Sequence, residues 1–171
     1  DENIGFTISR KTSEQIRNDV MNGSLDCGFV FGNYHIDGLG ALELAEIPMR
    51  IIGPANWEQE LVNCTIDELV KFSWIFMYSD CPFYDASNKV LKGRLSKLNI
   101  TTRVDDEDQI LNLVASGFGI SIIPEETLRI PGKADNLYIH PDLGMKVTLS
   151  FIYPKRRENH QAIATVLENL S

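Results

Sequence analysis

The chain has 171 residues, 43% of them hydrophobic and 23% charged, and carries a net charge of −8 at neutral pH. That length supports a core in one domain or in two small lobes, while no apolar run approaches the roughly 18 residues that cross a bilayer and no charged-then-apolar secretory pattern opens the chain. The acidic balance, with Lys155-Arg156-Arg157 as the densest basic run, argues against this piece holding nucleic acid by itself, because phosphate contacts need clustered lysine and arginine.

Asn3 to Ser9 alternates apolar and polar residues, with Ile4, Phe6 and Ile8 on one side, and predicts a strand. Thr12 and Ser13 are candidate N-caps, with Gln15 at the capping-box spacing from Thr12. The helix they open runs to about Asn22, stops at Gly23 and turns into the apolar strand Cys27 to Phe31, which ends in Gly32-Asn33. Leu42 to Ile52 reads as an extended connector, since Pro48 demotes a central strand. Thr65 to Lys71 predicts a short helix and Ser73 to Tyr78 a strand. Ser79-Asp80-Cys81-Pro82 is a helix start with proline at the first helical position, leading to about Leu98. Thr101 to Val104 is a strand, and Asp105 or Asp106 caps the next helix, which ends at Gly117 before the strand Gly119 to Ile123. Ile130 to Asp135 is loop. Met145 to Tyr153 is a strand, followed by Pro154 and a last helix from about Asn159 to Leu170 with Ile163, Val166, Leu167 and Leu170 on one face.

Two segments repeat one another: Ile16 to Gly23 followed by Cys27 to Phe31, and Ile110 to Gly117 followed by Gly119 to Ile123. Each is a helix with apolar positions four apart, closed by a glycine suited to a left-handed C-cap. The dense apolar strands that follow suggest parallel sheets covered on both faces. The expected fold is therefore α/β in two lobes: residues 1–48 begin lobe one, 49–144 form lobe two, and 145–171 return to lobe one.

A cleft between such lobes lies where strands end and helices begin, so unpaired helix N–H groups converge there. Thr12 and Ser13, preceded by Arg10 and Lys11, stand at that place in lobe one, with Phe31 and Asn33 ending the neighbouring strand. Ser79, Asp80 and Cys81 stand there in lobe two, and Phe83 suits stacking on an aromatic ligand, with core packing the commoner fate of such a residue. Plain N-capping explains Thr12 and Ser13 as well as ligand contact does. Asp105 to Asp108 crowd a helix start, where acidic residues are favoured by the dipole whatever their function. A thiol at a helix start tends toward thiolate, which singles out Cys81 from Cys27 and Cys64, both read as inert. The odd, widely spaced cysteines indicate neither a disulfide framework nor a zinc site and suit a reducing cytosol. His35, His140 and His160 are dispersed, and no nucleophile elbow or phosphate loop occurs, so neither an enzyme nor a cofactor is expected.

Gly23-Ser-Leu-Asp-Cys-Gly-Phe-Val30 and Val114-Ala-Ser-Gly-Phe-Gly-Ile-Ser-Ile-Ile-Pro124 resemble two signatures of the effector-binding domain of LysR-type bacterial transcription regulators. Ile66 to Lys71 before the strand Trp74 to Met77 is similar as well, and the likeness covers essentially the whole chain. The resemblance implies a fold of the type II periplasmic-binding-protein kind, with lobe one lacking its usual first strand and helix. It also implies a small-molecule effector in the inter-lobe cleft, a side-by-side dimer, and DNA binding only through a winged helix-turn-helix domain that this segment does not contain. Thr12 matches a position whose hydroxyl commonly meets the effector, and Val104 and Asp105 match a stretch that borders it. Arg10 and Lys11 favour a small carboxylate or other anion, which the acidic cluster opposes. Two rival readings stand beside this one: a solute-binding protein of a transport system, and a thiol-based redox sensor acting through Cys81.

Overall fold

The computed structural model describes residues 5–32, 34–78, 87, 91, 93–104, 106–141 and 143–170. Among the described residues the helices of four residues or more are, in chain order, α1 Ser13–Asn22, α2 Glu58–Leu61, α3 Ile66–Leu69, α4 Glu107–Ala115, α5 Glu125–Leu128 and α6 Gln161–Leu170. The strands are β1 Gly28–Phe31, β2 Leu39–Pro54, β3 Ser73–Phe76, β4 Asn99–Arg103, β5 Ser121–Pro124, β6 Leu137–Ile139 and β7 Lys146–Pro154. The fold is α/β. It divides into unit 1, Asp1–Glu46 with Thr148–Ser171, and unit 2, Ile47–Val147.

Unit 1 is built on α1 and β1. Thr12 caps α1 through a complete capping box: its Oγ1 accepts the Gln15 N–H at 3.2 Å and Gln15 Oε1 accepts the Thr12 N–H at 3.0 Å. The helix ends at Gly23, whose φ of 84° is one that L side chains rarely adopt. Val20 and Val30 bury almost completely with Leu39 and Ile152, and Ile16 and Leu25 pack against them; full burial of each such side chain is worth about 1.5–3 kcal/mol. Ile16 lies so close over β1 that a Cβ on Gly28 would stand 2.3 Å from its Cγ2. β1 pairs antiparallel with β7, Gly28 opposite Ile152 and Phe31 opposite Leu149. A second cluster joins Phe151, Tyr153 and Ile163, which brings α6 onto β7.

Unit 2 holds the second repeat. Asp106 caps α4 by accepting the Gln109 N–H at 3.0 Å. The helix closes through Gly117, at φ 85°, with the Phe118 N–H reaching back to the Leu113 carbonyl. Ile110, Val114, Ile120, Ile123, Trp74 and Ile75 are fully buried, and the Trp74 indole N–H donates to the Leu69 carbonyl at 2.9 Å. β3 and β4 are parallel, and Trp74 forms a parallel bridge with Ile120. Gly119 makes that approach possible, since a Cβ there would lie 2.4 Å from the Ser73 carbonyl oxygen.

Two expectations are corrected. Gly5–Ser9, the described part of the strand expected from Asn3 to Ser9, forms no strand, and Phe6 and Ile8 are 68% and 93% exposed. Alternation marks a segment able to pair, but among the described residues no strand offers it backbone partners. Nor are the strands after the two repeated helices simply parallel. β1 runs antiparallel to β7, and β5 runs antiparallel to β2. The return strand β7 and the connector that forms β2 supply the partners, and the β2–β5 ladder starts at Met49, directly after Pro48. β6, which pairs antiparallel with the end of β2, falls beside a stretch read as loop and was not anticipated.

Candidate functional site

In unit 1 the structure brings Thr12, Ser13 and Phe31 together. The Ser13 hydroxyl oxygen accepts the Phe31 N–H at 3.1 Å, tying the first turn of α1 to the end of β1. Just past β1 the Gly32 N–H donates to the Thr148 carbonyl, so the preceding residue Phe31 points its amide to the other edge. That is where Ser13 meets it.

A helix leaves its first four N–H groups without intrahelical partners. In α1 the capping box satisfies those of Thr12 and Gln15. The Ser13 and Glu14 amides have no acceptor among the described residues. Thr12 is exposed and Ser13 half-buried, and each hydroxyl accepts one bond while keeping its proton to donate. The corner therefore offers two backbone donors and two hydroxyl donors beside the positive end of a ten-residue helix, an arrangement suited to an anionic oxygen. Lys11 is engaged with Asp19 at 2.6 Å and Glu14 with Arg17 at 3.3 Å. Arg10 is exposed and makes no ion pair among the described residues.

Asn33, Ser79, Cys81 and Asp105, together with Asp80 and Phe83, lie outside the described residues. Val104 is buried at the end of β4, and its N–H donates to the Phe76 carbonyl at 3.0 Å. Arg103, which sequence reading passed over, crosses to the Met77 carbonyl at 3.0 Å. The described members of the acidic cluster after Val104 are spent internally. Asp106 caps α4, Glu107 accepts the Thr127 hydroxyl at 2.8 Å, and Asp108 pairs with Lys133 at 2.5 Å.

Burial, with Asp26 adding to it, pushes the Cys27 thiol up. Burial likewise raises Cys64, helped by Glu68 and Glu60, and its Sγ sits 2.9 Å from the Glu60 carbonyl. Both thiols are held away from the thiolate that nucleophilic chemistry needs. No group of three metal-ligating side chains occurs among the described residues, and none of their helices is long and apolar enough to cross a membrane.

The sequence matches the family described as the LysR substrate binding domain over residues 2–171. The chain belongs to that family. Solved structures agree on the fold: the reduced form of the OxyR2 regulatory domain from Vibrio vulnificus superposes with a TM-score of 0.78 at 15% identity, covering 94% of this chain and 75% of that one. The Synechocystis PCC6803 CcmR regulatory domain in complex with 2-PG gives 0.78 at 19% identity, covering 93% and 78%. Full-length CbnR complexed with its target DNA gives 0.75 at 17% identity, covering 96% of this chain and 57% of that one. No curated protein matches the sequence. Against this LysR-type background, the glycines that close α1 and α4 belong to the same two segments, Gly23 to Val30 and Val114 to Pro124, that resemble the family's signatures.

Proposed function

We propose that this chain is the effector-sensing part of a LysR-type transcription regulator, that it binds a small anionic metabolite, and that occupancy is relayed to DNA binding. The observation that carries the binding site is the corner of Thr12, Ser13 and Phe31, where the Ser13 and Glu14 amides remain as donors after the capping box is complete. Asn33, which follows β1, Ser79 and Cys81, read as a helix start, and Val104 and Asp105, which match the family's effector-bordering stretch, are proposed to complete the contact set. A small carboxylate or phosphate fits the donors of α1, and Arg10, exposed and without an ion pair among the described residues, adds a positive charge in the same stretch. A structural relative was solved with 2-PG bound, which makes 2-PG a first probe beside a panel of small carboxylates.

We also propose a homodimer in solution. Phe6, Ile8, Met21 and Phe29 of unit 1 are large apolar side chains left more than half exposed, and such surface favours association. Binding of 2-PG and of a small-carboxylate panel, measured by calorimetry on the wild type and on Thr12→Val, tests the site. A ligand that binds both chains alike places the site elsewhere. Light scattering over a range of concentrations tests the dimer, and a strict monomer throughout overturns it.

A further inference from the structure

The start of α4 is fastened to α5 and the turn after it by two side-chain ties. Glu107 accepts the Thr127 hydroxyl at 2.8 Å, and Asp108 meets Lys133, which follows α5, at 2.5 Å. Thr127 is 8% exposed and Glu107 is half-buried, so the first tie is shielded from water and loss of the hydroxyl leaves a carboxylate oxygen without its donor. The Asp108–Lys133 pair is the more exposed of the two, and surface pairs of that kind are weak.

On its other side α5 is fastened to β2. It opens directly from Pro124, the last residue of β5, and β5 pairs antiparallel with β2, Met49 opposite Pro124 and Arg50 opposite Ile123. Glu125, the first residue of α5, receives Arg50 at 2.7 Å and Arg129 at 2.9 Å. Arg50 stands just inside unit 2, which the chain enters at Ile47 and leaves at Val147. There the Met49 N–H donates to the Met145 carbonyl at 2.8 Å, and both methionines are buried. Glu107, Thr127, Glu125, Arg50 and the Met49–Met145 bond therefore form one contiguous path, from the first turn of α4 to the two stretches of chain that join unit 2 to unit 1.

We propose that α5 is a strut that carries a displacement of the α4 start to these two connecting stretches. A single helical turn moves as one piece, so a shift that pulls Thr127 also pulls Glu125 against Arg50 and strains the Met49–Met145 bond beside it. Its use as a relay rests on the effector reading above, because α4 begins beside Val104 and Asp105. The strut itself works without a ligand, so the two can fail separately.

Amide hydrogen exchange on the ligand-free chain, read by NMR, tests it. The reporters are the Ile110 amide, which donates to the Asp106 carbonyl, and the Met49 amide, with the Val20 amide of unit 1 as the control. Thr127→Val keeps the branched shape and removes the hydroxyl. It is expected to speed exchange at both Ile110 and Met49 by about threefold or more relative to Val20. Thr127→Ser keeps the hydroxyl and is expected to exchange like the wild type at both reporters. Glu125→Gln, at the other end of the strut, is expected to reach Ile110 in turn. The double variant Thr127→Val, Glu125→Gln is expected to show no more than the larger single effect, since both changes break one path. Faster exchange at Ile110 with Met49 unchanged, equal acceleration at Val20, a Thr127→Ser response equal to that of Thr127→Val, a Glu125→Gln effect that stops short of Ile110, or effects that simply multiply in the double variant would each overturn the proposal.

Discussion

The hydroxyl of Ser13 and the amide of Phe31 meet at 3.1 Å, and through that one bond the start of a helix and the end of a strand become a single corner. Eighteen residues separate them in the chain. The first turn of α1 cannot move away from β1 without leaving a backbone donor unmet, so the donors of Ser13 and Glu14 are held in place before any ligand arrives.

Thr12→Val removes the acceptor of the capping box while keeping the shape of the side chain. Loss of an N-cap of this kind costs about 1 kcal/mol, which corresponds to a fall in melting temperature of about 2–4 °C for a chain of this size. Differential scanning calorimetry measures it. An unchanged melting temperature would mean that water replaces the Thr12–Gln15 pair without loss.

Two glycines of the same loop separate two mechanisms. At Gly117 an added Cβ meets nothing within 4 Å, but φ is 85°, so Gly117→Ala costs about 1–2 kcal/mol through backbone conformation alone. At Gly119 the Cβ would lie 2.4 Å from the Ser73 carbonyl oxygen, so Gly119→Ala must also displace the contact between β3 and Ile120. Urea titrations are expected to rank Gly119→Ala as the more damaging. The reverse order would contradict the close approach.

The helix-glycine-strand units were readable because their determinants are local. Thr12 with Gln15, and Gly23 and Gly117, each act within a few residues and the structure bears them out, while of the two candidates Asp105 and Asp106 it shows Asp106 capping, through the Gln109 N–H. Strand partners are set by contacts distant in sequence. Nothing near Cys27 to Phe31 says that Leu149 to Ile152 will lie antiparallel to it, and the alternation of Gly5 to Ser9 carries no information about whether a neighbour exists. The same limit applies to sites. Thr12 and Ser13 were legible as a helix start, whereas Arg50 and Glu125 are 75 residues apart and the tie between Thr127 and Glu107 arises only from tertiary packing.

Glu125 predicts a pH dependence. Hydrogen bonds from Arg129 and Arg50, with their charges, hold its carboxyl below the usual range despite partial desolvation. The folded state therefore binds this proton less readily than the unfolded state. The stabilisation is complete above the unfolded pKa of about 4.3 and is lost as pH falls through the lower folded value. Glu125→Gln should destabilise the protein at pH 7, and the gap in melting temperature between the two chains should close as pH drops below about 4. A gap that persists or widens at low pH would show that the contacts of Glu125 with Arg129 and Arg50 are not the source.

The central claim is that the corner at Thr12 and Ser13 receives an anionic effector. Thermal denaturation of the wild type and of the Thr12→Val, Ser13→Ala double variant, each against the same panel of small carboxylates, tests it most directly. At about 100 times its dissociation constant an effector adds about 2.7 kcal/mol to stability. The account predicts a rise in melting temperature for at least one carboxylate with the wild type and none with the variant, whose own melting temperature is the reference for its response. A carboxylate that stabilises both chains equally, or a panel to which the wild type does not respond at all, would contradict it.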